Sequence, residues 1–156
     1  MFGGEKISSI PVVDLPPAPR KGLVVVTCMD SRLDVFRILD LEIGDAHVLR
    51  NAGGRVTDDT LRSLVLSMHL MQTRSVFVIH HTGCGLHNVT NAALRERVGA
   101  ATGQDATHLD FLPFSDLTTS VSEDVERVRS LPLLPDGITV TGAVYDVHTG
   151  TLHRVA

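Results

Sequence analysis

The chain contains two cysteines, and each of them follows a run of residues that is typical of a β-strand. Cys28 comes directly after the apolar run 23–27, and Cys84 lies just beyond the run 75–80. His81 and Cys84 are separated by two residues, so one tight turn can direct both side chains to the same ion. Thiolate and imidazole groups are ligands that Zn²⁺ favours in proteins. These three residues therefore predict a zinc site.

Other uses of the two cysteines are a disulfide between Cys28 and Cys84, or simple burial as small apolar side chains. Residues 1–20 contain four prolines and no continuous apolar run, so they do not resemble a signal peptide. We therefore expect a cytoplasmic protein with reduced thiols, and this favours metal binding over a disulfide. His80 could compete for the metal, but His81 fits the spacing better, and we assign His80 to the core or to support of the site.

A zinc held by three protein ligands keeps one open position, which is the pattern of catalytic sites, whereas structural sites usually have four ligands. Bound zinc can lower the pKa of water from ~15.7 to about 7. Two thiolates cancel much of the charge of the ion, so a neighbouring hydrogen-bond acceptor would help to orient the hydroxide. Asp30 lies two residues after Cys28, and Arg32 can clamp its carboxylate. Considered alone, Asp30 and Arg32 would also suit an ordinary turn.

The elements around these residues alternate between strands and helices. Apolar runs predict strands, and apolar spacing with capping residues predicts helices. The predicted strands are Leu23–Thr27, Ala46–Leu49, Ser75–His80, Ile138–Val147 and Leu152–Val155; the predicted helices begin at Ser31 and after Thr57, and span Asn91–Val98 and Asp116–Ser130. Such alternation is typical of an α/β domain with a central, mainly parallel sheet flanked by helices. Sites in these sheets collect at the carboxyl ends of strands, where both cysteine segments lie.

Length and composition indicate one compact domain, since the chain has 156 residues and 43% of them are hydrophobic. We assign residues 1–21, which are rich in proline, to an N-terminal arm and residues 22–156 to a single zinc-binding α/β catalytic domain. The net charge of −4 comes without a basic stripe, so we predict no nucleic-acid partner. No stretch approaches the ~20 apolar residues of a membrane span, so we predict no membrane partner.

Three segments, in this order and spacing, resemble the signature segments of the β-class carbonic anhydrases, especially their short prokaryotic branch. They are Cys28-Met-Asp-Ser-Arg32, Arg50-Asn-Ala-Gly-Gly54 and His80-His-Thr-Gly-Cys-Gly85. The likeness is strong through Gly85, weak over residues 86–136, and returns in the closing segment 142–150. It implies that Cys28, His81 and Cys84 bind Zn²⁺. It also implies reversible hydration of carbon dioxide to bicarbonate by attack of zinc-bound hydroxide, with release of a proton.

In this family scheme Asp30, held by Arg32, accepts a hydrogen bond from the hydroxide. Some members have a closed form in which the aspartate is a fourth zinc ligand, and if Asp30 behaves this way the activity should rise with pH. The resemblance further implies a sheet of four parallel strands with an added antiparallel edge strand, and a homodimer or a dimer of dimers. The chain departs from many members at Gly83, where they have Asp, and it contains no tryptophan. For that reason we do not expect the regulatory bicarbonate site that some members build with a tryptophan.

Two other functions stay open at this point. Relatives with the same zinc motifs hydrolyse carbonyl sulfide or carbon disulfide, which are linear molecules like carbon dioxide. The second alternative is a non-catalytic zinc or thiol sensor, in which Asp30 closes the metal permanently. Proton transfer from the site to buffer needs a titratable group, and His47, His87 and His108 are candidates that sequence position alone does not place near the metal.

Overall fold

The structure is a computed structural model that describes residues 14–156, and its centre is a five-stranded sheet in the order β2-β1-β3-β4-β5. The strands are β1 (Leu23–Cys28), β2 (Ala46–Asn51), β3 (Ser75–His81), β4 (Thr139–Asp146) and β5 (Thr151–Arg154). Strands β1 to β4 pair in parallel, and β5 pairs antiparallel with β4 at one edge. The predicted α/β architecture, with four parallel strands and an antiparallel edge strand, is confirmed.

The helices that flank the sheet are α1 (Val35–Ile38), α2 (Asp58–Met71), α3 (Asn91–Thr102) and α4 (Leu117–Arg129). Thr57 caps α2 as predicted, because its hydroxyl accepts a hydrogen bond from the backbone of Thr60. The prediction that the first helix begins at Ser31 is wrong. Asp34 caps this helix instead, and the chain before it forms a turn in which the Arg32 N–H donates to the Asp30 carboxylate.

Continuous apolar strands are buried on both faces of the sheet, as central parallel strands require. Val24 and Val26 of β1 pack with residues of α2 and α4 on one face, and Val25 packs with Val35 of α1 on the other. The β1 and β3 strands run side by side, with Thr27 in register with Ile79. Because parallel strands share their direction, their carboxyl ends bring Cys28 and His81 to the same edge of the sheet.

The described end of the predicted N-terminal arm lies against the turn that joins α1 to β2. The backbone N–H groups of Arg20 and Lys21 donate to the carbonyls of Gly44 and Asp45. The Arg20 guanidinium also pairs with the Asp45 carboxylate at 2.8 Å. Residues 1–13 of the predicted arm lie outside the described residues, and the domain boundary after residue 21 stays a prediction. Within residues 14–156, none of the helices has both the length and the apolar character needed to span a bilayer.

Gly142 of β4 lies directly under α4, and we expect Gly142→Ala to destabilise the domain. A methyl group at this position would lie 2.5 Å from Cγ1 of Val121 and 2.8 Å from Cγ2 of Val125, both of them core side chains. Overpacking of this kind costs about 1–3 kcal/mol, which urea denaturation would measure. Gly85→Ala is the control because no neighbouring atom lies within 4 Å of the added group. An equal unfolding free energy for the two variants would contradict the prediction.

Candidate metal centre

Two neighbouring parallel strands and the turn after one of them position three possible metal ligands. Cys28 ends β1, His81 ends β3, and Cys84 lies in the following turn. Their donor atoms all lie within 4.8 Å of one another. All three side chains are buried, and both cysteines carry free thiols. The predicted ligand set is therefore brought together, and the disulfide alternative is not what the structure contains.

The hydrogen bonding of His81 prepares one ring nitrogen for a metal. Its Nδ1 lies 3.0 Å from the carbonyl oxygen of Thr82. Because a carbonyl can only accept, Nδ1 carries the proton and Nε2 is left with a free lone pair. Nε2 is fully buried and has no hydrogen-bond partner. An unpartnered buried nitrogen costs free energy, and a metal ion would satisfy it. One imidazole and two thiols thus match Zn²⁺.

The two thiols affect each other's protonation because they hydrogen-bond to each other. A hydrogen bond with Cys84 lowers the pKa of Cys28, and the same interaction together with burial raises the pKa of Cys84. Since Zn²⁺ binds thiolates, metal binding displaces thiol protons and weakens as the pH falls.

Asp30 and Arg32 form a two-point ion pair beside these ligands. Nε of Arg32 donates to Oδ1 of Asp30 at 2.9 Å, and Nη2 donates to Oδ2 at 2.7 Å. The hydrogen bonds from Arg32 hold the pKa of Asp30 well below its usual range. Nη2 also donates to the Gly83 carbonyl at 2.9 Å, so Arg32 is anchored to the turn that carries Cys84. Oδ2 of Asp30 lies 3.9 Å from Nε2 of His81. The five predicted site residues thus lie in one cluster.

Arg50 is a supporting residue to which the sequence analysis gave no role. Its guanidinium donates to the carbonyl of Cys28 at 3.0 Å and to that of Asp30 at 2.6 Å, so it fixes the backbone between these residues. Gly54, in the turn that follows β2, packs against the same region, because a side chain there would lie 2.8 Å from the Cys28 nitrogen. The available signal was the Arg50-Asn-Ala-Gly-Gly54 segment, which begins in the last two residues of β2, the strand adjacent to β1.

The other histidines occupy different places. His80 is fully buried, which agrees with its assignment to the core or to support of the site. His47 lies in β2, and its ring contacts the Ser67 hydroxyl of α2 and the Pro17 carbonyl. His108 is exposed in the segment between α3 and α4. Of the three proton-transfer candidates, His87 is the one whose backbone contacts a ligand residue, since its N–H donates to the Cys84 carbonyl at 3.1 Å.

The chain resembles carbonic anhydrases, and also a carbon disulfide hydrolase, over most of its length. The family model described as carbonic anhydrase matches residues 23–109. Beta-carbonic anhydrase 1 of Mycobacterium tuberculosis is 38% identical over 143 residues, covering 90% of this chain and 86% of the relative. Carbon disulfide hydrolase of Acidithiobacillus thiooxidans is 34% identical over 149 residues, covering 83% of this chain and 75% of the relative. The crystal structure of carbonic anhydrase from Streptococcus mutans has a TM-score of 0.90 and 47% identity, covering 94% of this chain and 88% of that one.

Proposed function

The chain belongs to the β-class carbonic anhydrase family, and we propose that it catalyses the zinc-dependent, reversible hydration of carbon dioxide to bicarbonate and a proton. The observation that carries this proposal is the buried cluster of Cys28, His81 and Cys84, with an Asp30 carboxylate held by Arg32 at its side. The substrate is a small neutral molecule.

Cys28, His81 and Cys84 hold the zinc in this scheme. Each offers one donor atom. In His81 this atom is Nε2, which is buried and unpartnered because the other ring nitrogen makes the hydrogen bond to Thr82. Zinc, when bound, lowers the pKa of a coordinated water and so supplies hydroxide near neutral pH. Two outer hydrogen bonds restrict the directions in which the donor atoms point: His81 donates to the Thr82 carbonyl, and Arg50 donates to the Cys28 carbonyl.

Asp30 is the group that orients the reacting oxygen. Each carboxylate oxygen of Asp30 takes a hydrogen bond from the Arg32 guanidinium and keeps further acceptor capacity. An ionised carboxylate can only accept, so it binds the hydrogen of a reacting hydroxyl group and leaves a lone pair of that oxygen for the carbon of the substrate. Arg32 holds the carboxylate in place, and this contact opposes movement of Asp30 onto the metal. We therefore favour an open metal position at neutral pH over the closed form.

Hydrolysis of carbon disulfide or carbonyl sulfide is the second candidate, because a carbon disulfide hydrolase is 34% identical over most of the chain. The substrates share a linear shape and an electrophilic carbon, so the same nucleophile can attack any of them. Sulfide release from carbon disulfide or carbonyl sulfide, at a rate above that of carbon dioxide hydration, would favour this candidate. A non-catalytic sensor is disfavoured because Arg32 already binds Asp30, the residue that would have to close the metal.

The cluster should make hydration depend on the metal. Removing zinc with a chelator is expected to lower the rate of carbon dioxide hydration by about a thousandfold, because the source of hydroxide at neutral pH is lost. Stopped-flow hydration with a pH indicator would measure the rate before treatment, after it, and after zinc is added back. Zinc-loaded protein with no hydration above the buffer rate would refute the proposed activity.

We also propose a homodimer or a dimer of dimers in the cytoplasm. Strand β2 is an edge of the sheet, and the neighbouring helix α2 leaves Leu66 43% exposed and Leu70 71% exposed. Apolar side chains of this size on one helix suit a subunit contact. Two free thiols suit a reducing compartment. Light scattering coupled to size-exclusion chromatography would measure the oligomer, and a monomer at micromolar concentration would refute the assembly.

A further inference from the structure

Helix α4 supplies none of the proposed metal ligands, yet two of its side chains bind the strand that carries His81. The ring of His80 is fully buried, and its two nitrogens have partners on α4. Nδ1 lies 2.8 Å from the Ser120 hydroxyl, and Nε2 lies 3.1 Å from Oδ2 of Asp124. Ser120 and Asp124 are themselves 1% and 3% exposed. The residue next to the His81 ligand is therefore bound at both of its ring nitrogens.

Asp124 also binds Arg55, the residue that follows Gly54 in the chain. The distance from Nε of Arg55 to Oδ2 of Asp124 is 2.8 Å, and the Arg55 side chain is only 11% exposed. Arg55 directly follows Gly54, whose Cα faces the Cys28 backbone so closely that any side chain would collide with it. Through Arg55, the carboxylate of Asp124 thus reaches the segment that supports Cys28.

Phe114 extends the same buried group to the segment of the third ligand. The Arg55 guanidinium lies 5.7 Å from the centre of the Phe114 ring, and this ring stacks on His80 at 5.6 Å and on His87 at 5.7 Å. The Phe114 N–H donates to the Leu86 carbonyl. The His87 N–H donates to the carbonyl of Cys84. All three ligand-bearing segments therefore meet around one network.

We propose that Asp124 is a positioning residue that holds the segments of Cys28, His81 and Cys84 in their metal-binding arrangement. A buried carboxylate that binds both His80 and Arg55 joins two of these segments directly, and Phe114 joins the third. Without it, the buried His80 ring would lose a hydrogen-bond partner and the Arg55 guanidinium would lose its buried counter-charge, so the segments would be free to separate. The inference rests on the proposed zinc ligands, but it concerns affinity for the metal rather than the reaction.

Asp124→Asn tests this role, and Glu123→Gln is the matched control. Glu123 is the neighbouring residue on α4 and also approaches Arg55, at 3.6 Å, but its side chain is 63% exposed. The zinc dissociation constant would be measured by competition with a chromophoric chelator, on metal-free protein shown by circular dichroism to be folded. Loss of a partner that orients metal ligands weakens metal binding by about 10–100-fold. We expect Asp124→Asn to reach this range and Glu123→Gln to change the constant by less than about twofold.

If Asp124→Asn does not fold, Ser120→Ala is the substitute variant. It removes the hydroxyl that contacts Nδ1 of His80 and leaves the Asp124 carboxylate in place. We expect it to weaken zinc binding several-fold. An unchanged zinc dissociation constant in folded Asp124→Asn, even with a lower melting temperature, would show a merely structural role and overturn the proposal. If Asp124→Asn does not fold, an unchanged constant in Ser120→Ala overturns it. Wild-type protein that binds zinc but does not hydrate carbon dioxide would refute the proposed function and leave this test valid.

Discussion

Replacing Cys84 with Ser is expected to abolish tight zinc binding and carbon dioxide hydration together. A serine hydroxyl stays protonated at neutral pH and is a poor substitute for a thiolate. The other two donors, from Cys28 and His81, would remain within reach of the ion, but two ligands do not close a stable site. We expect zinc affinity to fall by about a thousandfold or more, since each factor of ten corresponds to about 1.4 kcal/mol. Zinc content after dialysis and stopped-flow hydration would measure both effects.

Gly85→Ala is the control for this variant because it changes the same turn without removing a proposed ligand. A methyl group added at Gly85 has no neighbouring atom within 4 Å. This control should retain its zinc. Cys84→Ser protein that keeps stoichiometric zinc and wild-type hydration would show that Cys84 is not a ligand, and the site would have to be reassigned.

Asp30→Asn is expected to lower kcat/KM for hydration by about 10²–10³-fold while leaving zinc bound. Asparagine offers one acceptor oxygen and an NH₂ group, so Arg32 can no longer bind it at two points. The amide can also donate a hydrogen bond to the reacting oxygen, which would misorient it. Zinc content should stay near that of the wild type, because the three proposed ligands are unchanged. Stopped-flow hydration combined with metal analysis would separate the two effects.

The pH dependence of this variant distinguishes the open site from the closed one. The hydrogen bonds from Arg32 lower the pKa of Asp30. The carboxylate is therefore charged at every pH above the usual pKa of aspartate, and it loses its charge only when the pH falls through the lowered pKa. Between about pH 6 and 9 Asp30 therefore stays ionised, and the loss caused by Asp30→Asn should be uniform. If Asp30 were instead a metal ligand at neutral pH, the variant would be more active than the wild type at pH 7. That outcome would contradict the orienting role.

The fold class and the members of the candidate metal cluster could be predicted from the sequence. Apolar runs such as 23–27 and 75–80 are too continuous for surface strands, so they predict a buried parallel sheet. The carboxyl ends of these strands carry Cys28 and His81, and the spacing to Cys84 is local. Asp30 and Arg32 are also near neighbours in the chain. Cys28 and His81 are far apart in the chain, and the sequence grouped them only through the parallel sheet, in which neighbouring strands end at the same edge.

The support of the cluster depends on contacts between distant segments and could not be predicted from the sequence. The start of α1 depended on whether Ser31 or Asp34 became the cap, and the Asp30 carboxylate settled this by taking the N–H of Arg32. The His80 and Asp124 side chains are separated by 44 residues, and Arg55 and Asp124 by 69. Such pairs leave no periodic pattern in the sequence, because their side chains come into contact only when helix α4 packs on the sheet. A buried carboxylate with two partners is therefore a property of the packing rather than of local sequence.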